Sequence, residues 1–142
     1  MLMSPGEFFG NATVSAIVGG LTAWGATHFL QRSYSKHAAQ DDISDLLSEL
    51  RAEAVIYWLQ AGRDADLERA IIKLSSRSSG KCNRYAKKYQ PKRNVPAIRA
   101  RSQTLHHALT GGDFQTITRM PNPARIAEID RNIEELKREL EI

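Results

Sequence analysis

From Phe8 to Leu30 the chain runs for 23 residues without a lysine, arginine, aspartate or glutamate. Nothing else in the sequence restricts the fold so strongly. As a helix this run is about 34 Å long at 1.5 Å per residue, against a bilayer hydrocarbon core of about 30 Å, so it predicts one transmembrane helix. The flanks give the direction. Glu7 and the amino terminus precede the run, whereas Arg32 and Lys36 follow it; by the positive-inside rule the N-terminus lies outside the inner membrane and the rest is cytoplasmic. A cleaved signal peptide has its positive charge first, so the run reads as an uncleaved signal anchor. The competing reading is a buried core helix, against which a length near 20 residues argues. The expected division is therefore 1–36, an N-terminal segment with its transmembrane helix, and 37–142, a cytoplasmic helical domain.

The run is not uniformly greasy. Asn11, Ser15, Gly19 and Thr22 recur at spacings of four, four and three and share one helical face, and Ala12, Ala16 and Gly20 form a neighbouring row at small-xxx-small spacing. Phe8, Phe9, Val14, Val18, Leu21 and Phe29 supply bulk elsewhere. A polar stripe inside lipid favours helix association, with Asn11 bonding across the interface for about 1 kcal/mol, so these seven small and polar residues are expected to line a pore or tighten a homo-oligomer. A monomeric anchor that keeps Asn11 near water is the alternative. His28, close to the cytoplasmic end, reads as an interfacial residue.

After the span, DDISDLLSELRAEAVIYWLQAG places Ile43, Leu46, Leu47, Leu50, Ala54 and Trp58 on one side of an amphipathic, acidic helix that stops at Gly62. No proline or glycine separates it from the span, so the two are one helix or two. A second helix starts at Asp64 or Asp66 and carries Leu67, Ile71, Leu74, Ser78, Cys82, Tyr85 and Tyr89 on one side; SSRSSGK at 75–81 is a poor helix former and makes a break there plausible. A third begins near Pro96 and ends at Gly111 and Gly112, with DFQTITRM at 113–120 as an extended connector. A fourth starts at Pro123, and Ile126, Ile129, Ile133, Leu136 and Leu140 form its packing row. That row fits a helical bundle as well as a two-heptad coiled coil. The expected fold class is all-α: a transmembrane helix, then a small helical bundle.

Charge is segregated. The 20 basic and 16 acidic residues nearly balance, yet no acidic residue occurs between Arg69 and Gly112 while eleven basic ones do. On a helix Arg69, Lys73, Arg77, Lys81, Arg84 and Lys88 advance by threes and fours along one face. Like charges so spaced repel by a few tenths of a kcal/mol per pair, so an anion or the acidic helix of Asp41 to Glu53 is expected to neutralise them. A nucleotide or oligonucleotide fits, with Tyr85 and Tyr89 as stacking or core residues. An anionic lipid headgroup fits. A solvated face partly neutralised by neighbouring carboxylates is the third reading.

Catalytic chemistry is not visible. Adjacent His106 and His107 diverge by about 100° on a helix and do not share one ligand position, and neither metalloprotease, phosphate-loop nor hydrolase-elbow motifs occur. The lone Cys82 allows no intramolecular disulfide and no cysteine-built zinc site. No cofactor or metal is expected, and no enzyme activity.

With FFGNATVSAIVGG and the basic interval as its marks, the layout resembles small single-pass membrane effectors of bacterial anti-phage defence, and among them the channel partner of Hailong-type systems. The resemblance is one of architecture over the whole chain and transfers no residue roles. It implies an oligomeric ion-conducting or membrane-perturbing effector, gated by a nucleotide, an oligonucleotide or a partner protein. The alternative is a structural membrane anchor or adaptor that recruits a cytoplasmic protein through its helices.

Overall fold

A computed structural model describes the backbone of residues 5–142 and the side chains from Ile17 onward. Four helices account for it: α1 (Pro5–Leu59), α2 (Ala65–Tyr89), α3 (Val95–Thr110) and α4 (Pro123–Leu140), with a single 3₁₀ turn at Lys92–Asn94 before α3. No strand occurs among the described residues, so the chain is all-α. It divides into two compact units, the first ending at His37 and the second being Ala38–Ile142.

The membrane span is overturned. Among the described residues no helix is long and apolar enough to cross a membrane. The physical reason is that freedom from charge is not the same as hydrophobicity: Gly19, Gly20, Thr22, Trp24, Gly25, Thr27 and His28 dilute the leucine, isoleucine and valine content of the run. The membrane orientation argued from that span loses its basis with it. Thr22 and Thr27 satisfy their hydroxyls on their own helix, at Val18 O (2.9 Å), Gly19 O (3.0 Å) and Ala23 O (2.9 Å). A Cβ built on Gly19 or Gly20 meets nothing within 4 Å. The side chains of Asn11, Ala12, Ser15 and Ala16 lie outside the described residues.

The second unit has one core. Ile43, Leu46, Leu47, Leu50, Ala54, Tyr57 and Trp58 of α1 meet Ile71, Leu74, Cys82, Tyr85 and Ala86 of α2, Ile98, Leu105, Ala108 and Leu109 of α3, and Ile129, Ile133, Leu136 and Leu140 of α4. Ile126 is half-buried beside them. Each set recurs at three- and four-residue spacing, which puts an apolar stripe on the inner side of each helix.

α2 does not break at 75–81. The serine run is held because Ser75 and Ser78 are buried, Ser78 Oγ donates to Ser75 O at 3.0 Å, and Ser75 Oγ meets His106 Nδ1 of α3 at 2.9 Å. Tertiary contacts here outweigh the low helix propensity of serine and glycine. The N-terminus is fixed by Asp64, whose carboxylate accepts from Asp66 N (3.2 Å) and Leu67 N (3.1 Å). Those bonds, first that from Leu67, draw its pKa below the ordinary carboxylate value. Asn122 caps α4 likewise through Arg125 N at 3.1 Å.

The connector at 113–120 is a series of turns rather than an extended segment. It buries Arg119, 1% exposed, against the end of α1. Two guanidinium nitrogens donate to the carbonyls of Tyr57 (2.6 Å), Gln60 (2.8 Å) and Gly62 (2.5 Å). The same group lies 3.8 Å from the Tyr57 ring centroid and 5.4 Å from that of Trp58. In return Arg119 O accepts from Gly62 N at 2.8 Å, and Asn122 N donates to Trp58 O at 2.7 Å. Gly62 holds φ at +80°, a left-handed conformation that ends α1.

Replacing Arg119 by alanine removes three charge-assisted bonds and orphans the carbonyls. We expect a loss of about 3 kcal/mol, read as a lowered urea midpoint with unchanged slope. A loss under about 0.5 kcal/mol would show that the connector is held by other means.

Candidate anion-binding surface

Helix α2 turns its charges outward because its other side is spent on the core. With Ile71, Leu74, Ser75, Ser78, Cys82, Tyr85 and Ala86 buried, the residues between them must face water. The tyrosines belong to the buried side: Tyr85 is 2% exposed and accepts from Gln40 Nε2 at 3.0 Å, so it is core rather than a platform for bases. Burial raises its phenol pKa above the ordinary value. Tyr89 packs against it with ring centroids 5.2 Å apart.

The structure sorts the basic residues into two groups. Arg51 pairs with Asp130, Arg63 with Glu68, Arg101 with Glu135, Arg125 with Glu128 and Lys137 with Glu134. Two of the six residues expected to bind an anion fall in this paired group as well, Arg69 with Asp66 and Lys81 with Asp42. The other four, Lys73, Arg77, Arg84 and Lys88, are exposed and form no ion pair among the described residues. Lys87, Lys92, Arg93 and Arg99 join them. Arg131 and Arg138 likewise form no ion pair among the described residues but stand among the carboxylates of α4. The acidic stretch of α1 therefore reaches this surface through Asp42 and Lys81, not as a general neutralising partner.

Position helps the unpaired cations tolerate one another. Lys87 and Lys88 occupy the last turn of α2, where the helix carries partial negative charge. The Lys88 ammonium also lies 5.0 Å from the Tyr89 ring centroid. From Lys73 to Lys88 the row extends about 22 Å along the helix.

A polar cleft of about 460 Å³ opens beside this face, between α2 and α3. Ser75, Ser76 and Ser79 line one wall and Ser102, Gln103, His106 and His107 the other. Both histidine rings line this cleft, their centroids 6.2 Å apart. Ser102 is 6% exposed, and its hydroxyl has no nitrogen or oxygen partner among the described residues. The sequence reading missed this cleft because it took 75–81 as a helix breaker. Serines at 75, 76 and 79 facing another at 102 were its available sign, since small side chains mark where two helices approach closely.

Cys82 is buried in the core, and burial pushes its thiol from the ordinary 9.0 up to about 12, partly offset by a backbone hydrogen bond and by Ser102. It is not a nucleophile at neutral pH. Among the described residues no cluster of His, Cys, Asp and Glu is arranged to hold a metal. Comparison with known protein families, with curated proteins and with solved structures finds no match to this chain.

The raised thiol value has a signed consequence. Below pH 9 the thiol is neutral in folded and unfolded chains alike and its burial costs nothing in protonation. As pH rises from 9 toward 12 the unfolded thiol ionises first, so stability falls across that window. Cys82→Ala is expected to flatten this alkaline loss, measured by urea titration at pH 8 and pH 10.5. In the wild type the thiol should alkylate only at the rate of unfolding; immediate modification of the folded protein would contradict its burial.

Proposed function

We propose that the Ala38–Ile142 unit is a binding module for phosphodiester-linked anions, of the class of single-stranded oligonucleotides, acting through the outer face of α2 and the start of α3. The observation that carries this is the sorting of charge: cations elsewhere in the unit are mostly paired, while Lys73, Arg77, Arg84, Lys87, Lys88, Lys92, Arg93 and Arg99 have no carboxylate partner among the described residues. A strand of phosphates gains by docking on such a row because the lysines and arginines displace its condensed counterions. A lipid surface suits it less, because Ile72 is the exposed large hydrophobic residue of α2, and an interfacial helix needs an apolar face to insert. With Tyr85 and Tyr89 turned inward, the contact is to backbone phosphates and is insensitive to sequence.

Binding rather than catalysis is supported by the Ser75–His106 pair. Ser75 is 4% exposed, and no carboxylate pairs with the imidazole among the described residues. The orienting third group of an activated serine is missing.

Fluorescence anisotropy with a labelled single-stranded oligonucleotide tests the reading. If about four phosphates are engaged, the logarithm of affinity should fall with the logarithm of salt at a slope of about −3. Combining Arg77→Glu with Arg84→Glu should weaken binding by more than about tenfold, since each contact contributes on the order of 1 kcal/mol. Affinity independent of salt, or retained in that variant, would refute the proposal. Lys81 is left intact because its pairing with Asp42 supports the fold.

A second reading, assembly of copies through the first unit, is favoured by its surface. Ile17, Val18, Leu21, Trp24, Phe29 and Leu30 are all more than half exposed. Ile17, Leu21, Trp24 and His28 follow each other at four, three and four residues along one stripe, with the Trp24 and His28 rings stacked at 5.5 Å. So much contiguous apolar surface is uncommon on a monomer. Light scattering should therefore give a mass above one chain, and Leu21→Glu with Trp24→Glu should return the monomer; a wild-type monomer at every concentration would remove this reading.

A further inference from the structure

The cleft between α2 and α3 has features that a row of surface cations does not. It is concave, and its walls offer hydroxyls, an amide and imidazole nitrogens as hydrogen-bond donors. No acidic residue lies anywhere between Arg69 and Gly112, so neither wall repels an anion. The Ser102 hydroxyl is buried beneath this wall, beside the Cys82 thiol. Ser75 Oγ, by contrast, is already engaged at 2.9 Å and fixes the His106 ring in the wall. Arg99 stands one turn before Ser102 and Gln103 on the same side of α3 and carries no ion pair among the described residues.

We propose that this cleft receives a terminal phosphate: a phosphomonoester at the end of the strand whose diesters lie along α2. The proposal rests on the reading of α2 as an oligonucleotide surface. A monoester differs from the internal diesters in two ways that this site can sense. It carries a charge of about −1.5 to −2 at neutral pH and three free acceptor oxygens. The hydroxyls of Ser76 and Ser79, the Gln103 amide and the imidazoles of His106 and His107 can serve those oxygens from two sides. A volume of about 460 Å³ holds a phosphate with the sugar attached to it. The module would then distinguish a phosphorylated end from a hydroxyl end, which sequence-independent backbone contacts alone do not.

The test compares one oligonucleotide carrying a phosphate at its 5′ end, at its 3′ end or at neither, with the full chain. The wild type should prefer one phosphorylated form by about tenfold over the hydroxyl form. Gln103→Glu, an exposed and nearly isosteric change that places a carboxylate in the wall, should bring that ratio to about one. Arg77→Glu with Arg84→Glu should instead weaken all three ligands and leave the ratio unchanged. Equal wild-type affinity for the three, or a ratio that survives Gln103→Glu, overturns the cleft proposal while the α2 surface stands. If no oligonucleotide binds, the α2 surface falls, and inorganic phosphate judges the cleft by itself. Movement of the His106 and His107 ring signals in NMR, lost in Gln103→Glu, supports it; unmoved signals overturn it.

Discussion

The helical unit depends on one buried cation. Arg119 has no carboxylate partner among the described residues, yet it is 1% exposed. Its charge is met by the carbonyls of Tyr57, Gln60 and Gly62 at the negative end of α1 and by the faces of Tyr57 and Trp58. That arrangement needs the connector after α3 to return to the end of α1, which fixes where α4 begins. Phe114 enters beside Tyr57, 5.0 Å between ring centroids, and Gln115 N donates to the Tyr57 hydroxyl at 3.0 Å. The hydroxyl in turn donates to buried Glu68 at 3.1 Å, and Glu68 accepts from Arg63 at 3.0 Å. Burial, then the carboxylate of Glu68, raises the Tyr57 pKa, while the Gln115 bond lowers it. One loop thus joins the end of α1, the start of α2 and the entry to α4.

The end of α3 is shaped by the same demand. Gly111 N closes α3 on His107 O at 2.8 Å, and Gly112 turns the chain with φ at +64°. A Cβ at Gly112 would lie 2.5 Å from the Arg125 guanidinium, which passes there toward the Trp58 ring, 5.2 Å from its centroid. The backbone conformation is what calls for glycine at 112, since the tip of a flexible arginine can move aside. Trp58 has arginines within 5.5 Å of its ring centroid on two counts, Arg119 and Arg125. It is the largest fully buried side chain of the unit.

How much of this was legible follows from range. The rows Ile43, Leu46, Leu47, Leu50 and Ile129, Ile133, Leu136, Leu140 are local periodicities, and they mark helix faces whatever those faces pack against. Arg119 was not legible, because DFQTITRM has no helical hydrophobic period and the carbonyls that hold the guanidinium lie 57 to 62 residues away. The serines failed for a related reason. Propensity treats Ser75 and Ser78 as weak helix formers, whereas their burial against α3 makes small size an advantage. The first unit shows the reverse error: freedom from charge over 23 residues outweighed the glycines, threonines and histidine that the same run visibly carries, and these lower its hydrophobicity below that of a span.

Charge economy explains why the candidate surface lies on α2 and α3. The unit's carboxylates are concentrated on α1 and α4, apart from Asp64, Asp66, Glu68 and Asp113. Those on α4 take up Arg51, Arg101, Arg125 and Lys137, and Asp42 of α1 takes Lys81. Nothing acidic is left within the stretch that forms most of α2 and all of α3. A fold that needed only solubility would gain by interspersing the two signs, because like charges three and four residues apart raise its energy. Keeping them apart costs stability unless an external anion completes the surface, and the same absence of carboxylates leaves the neighbouring serine and histidine walls open to phosphate.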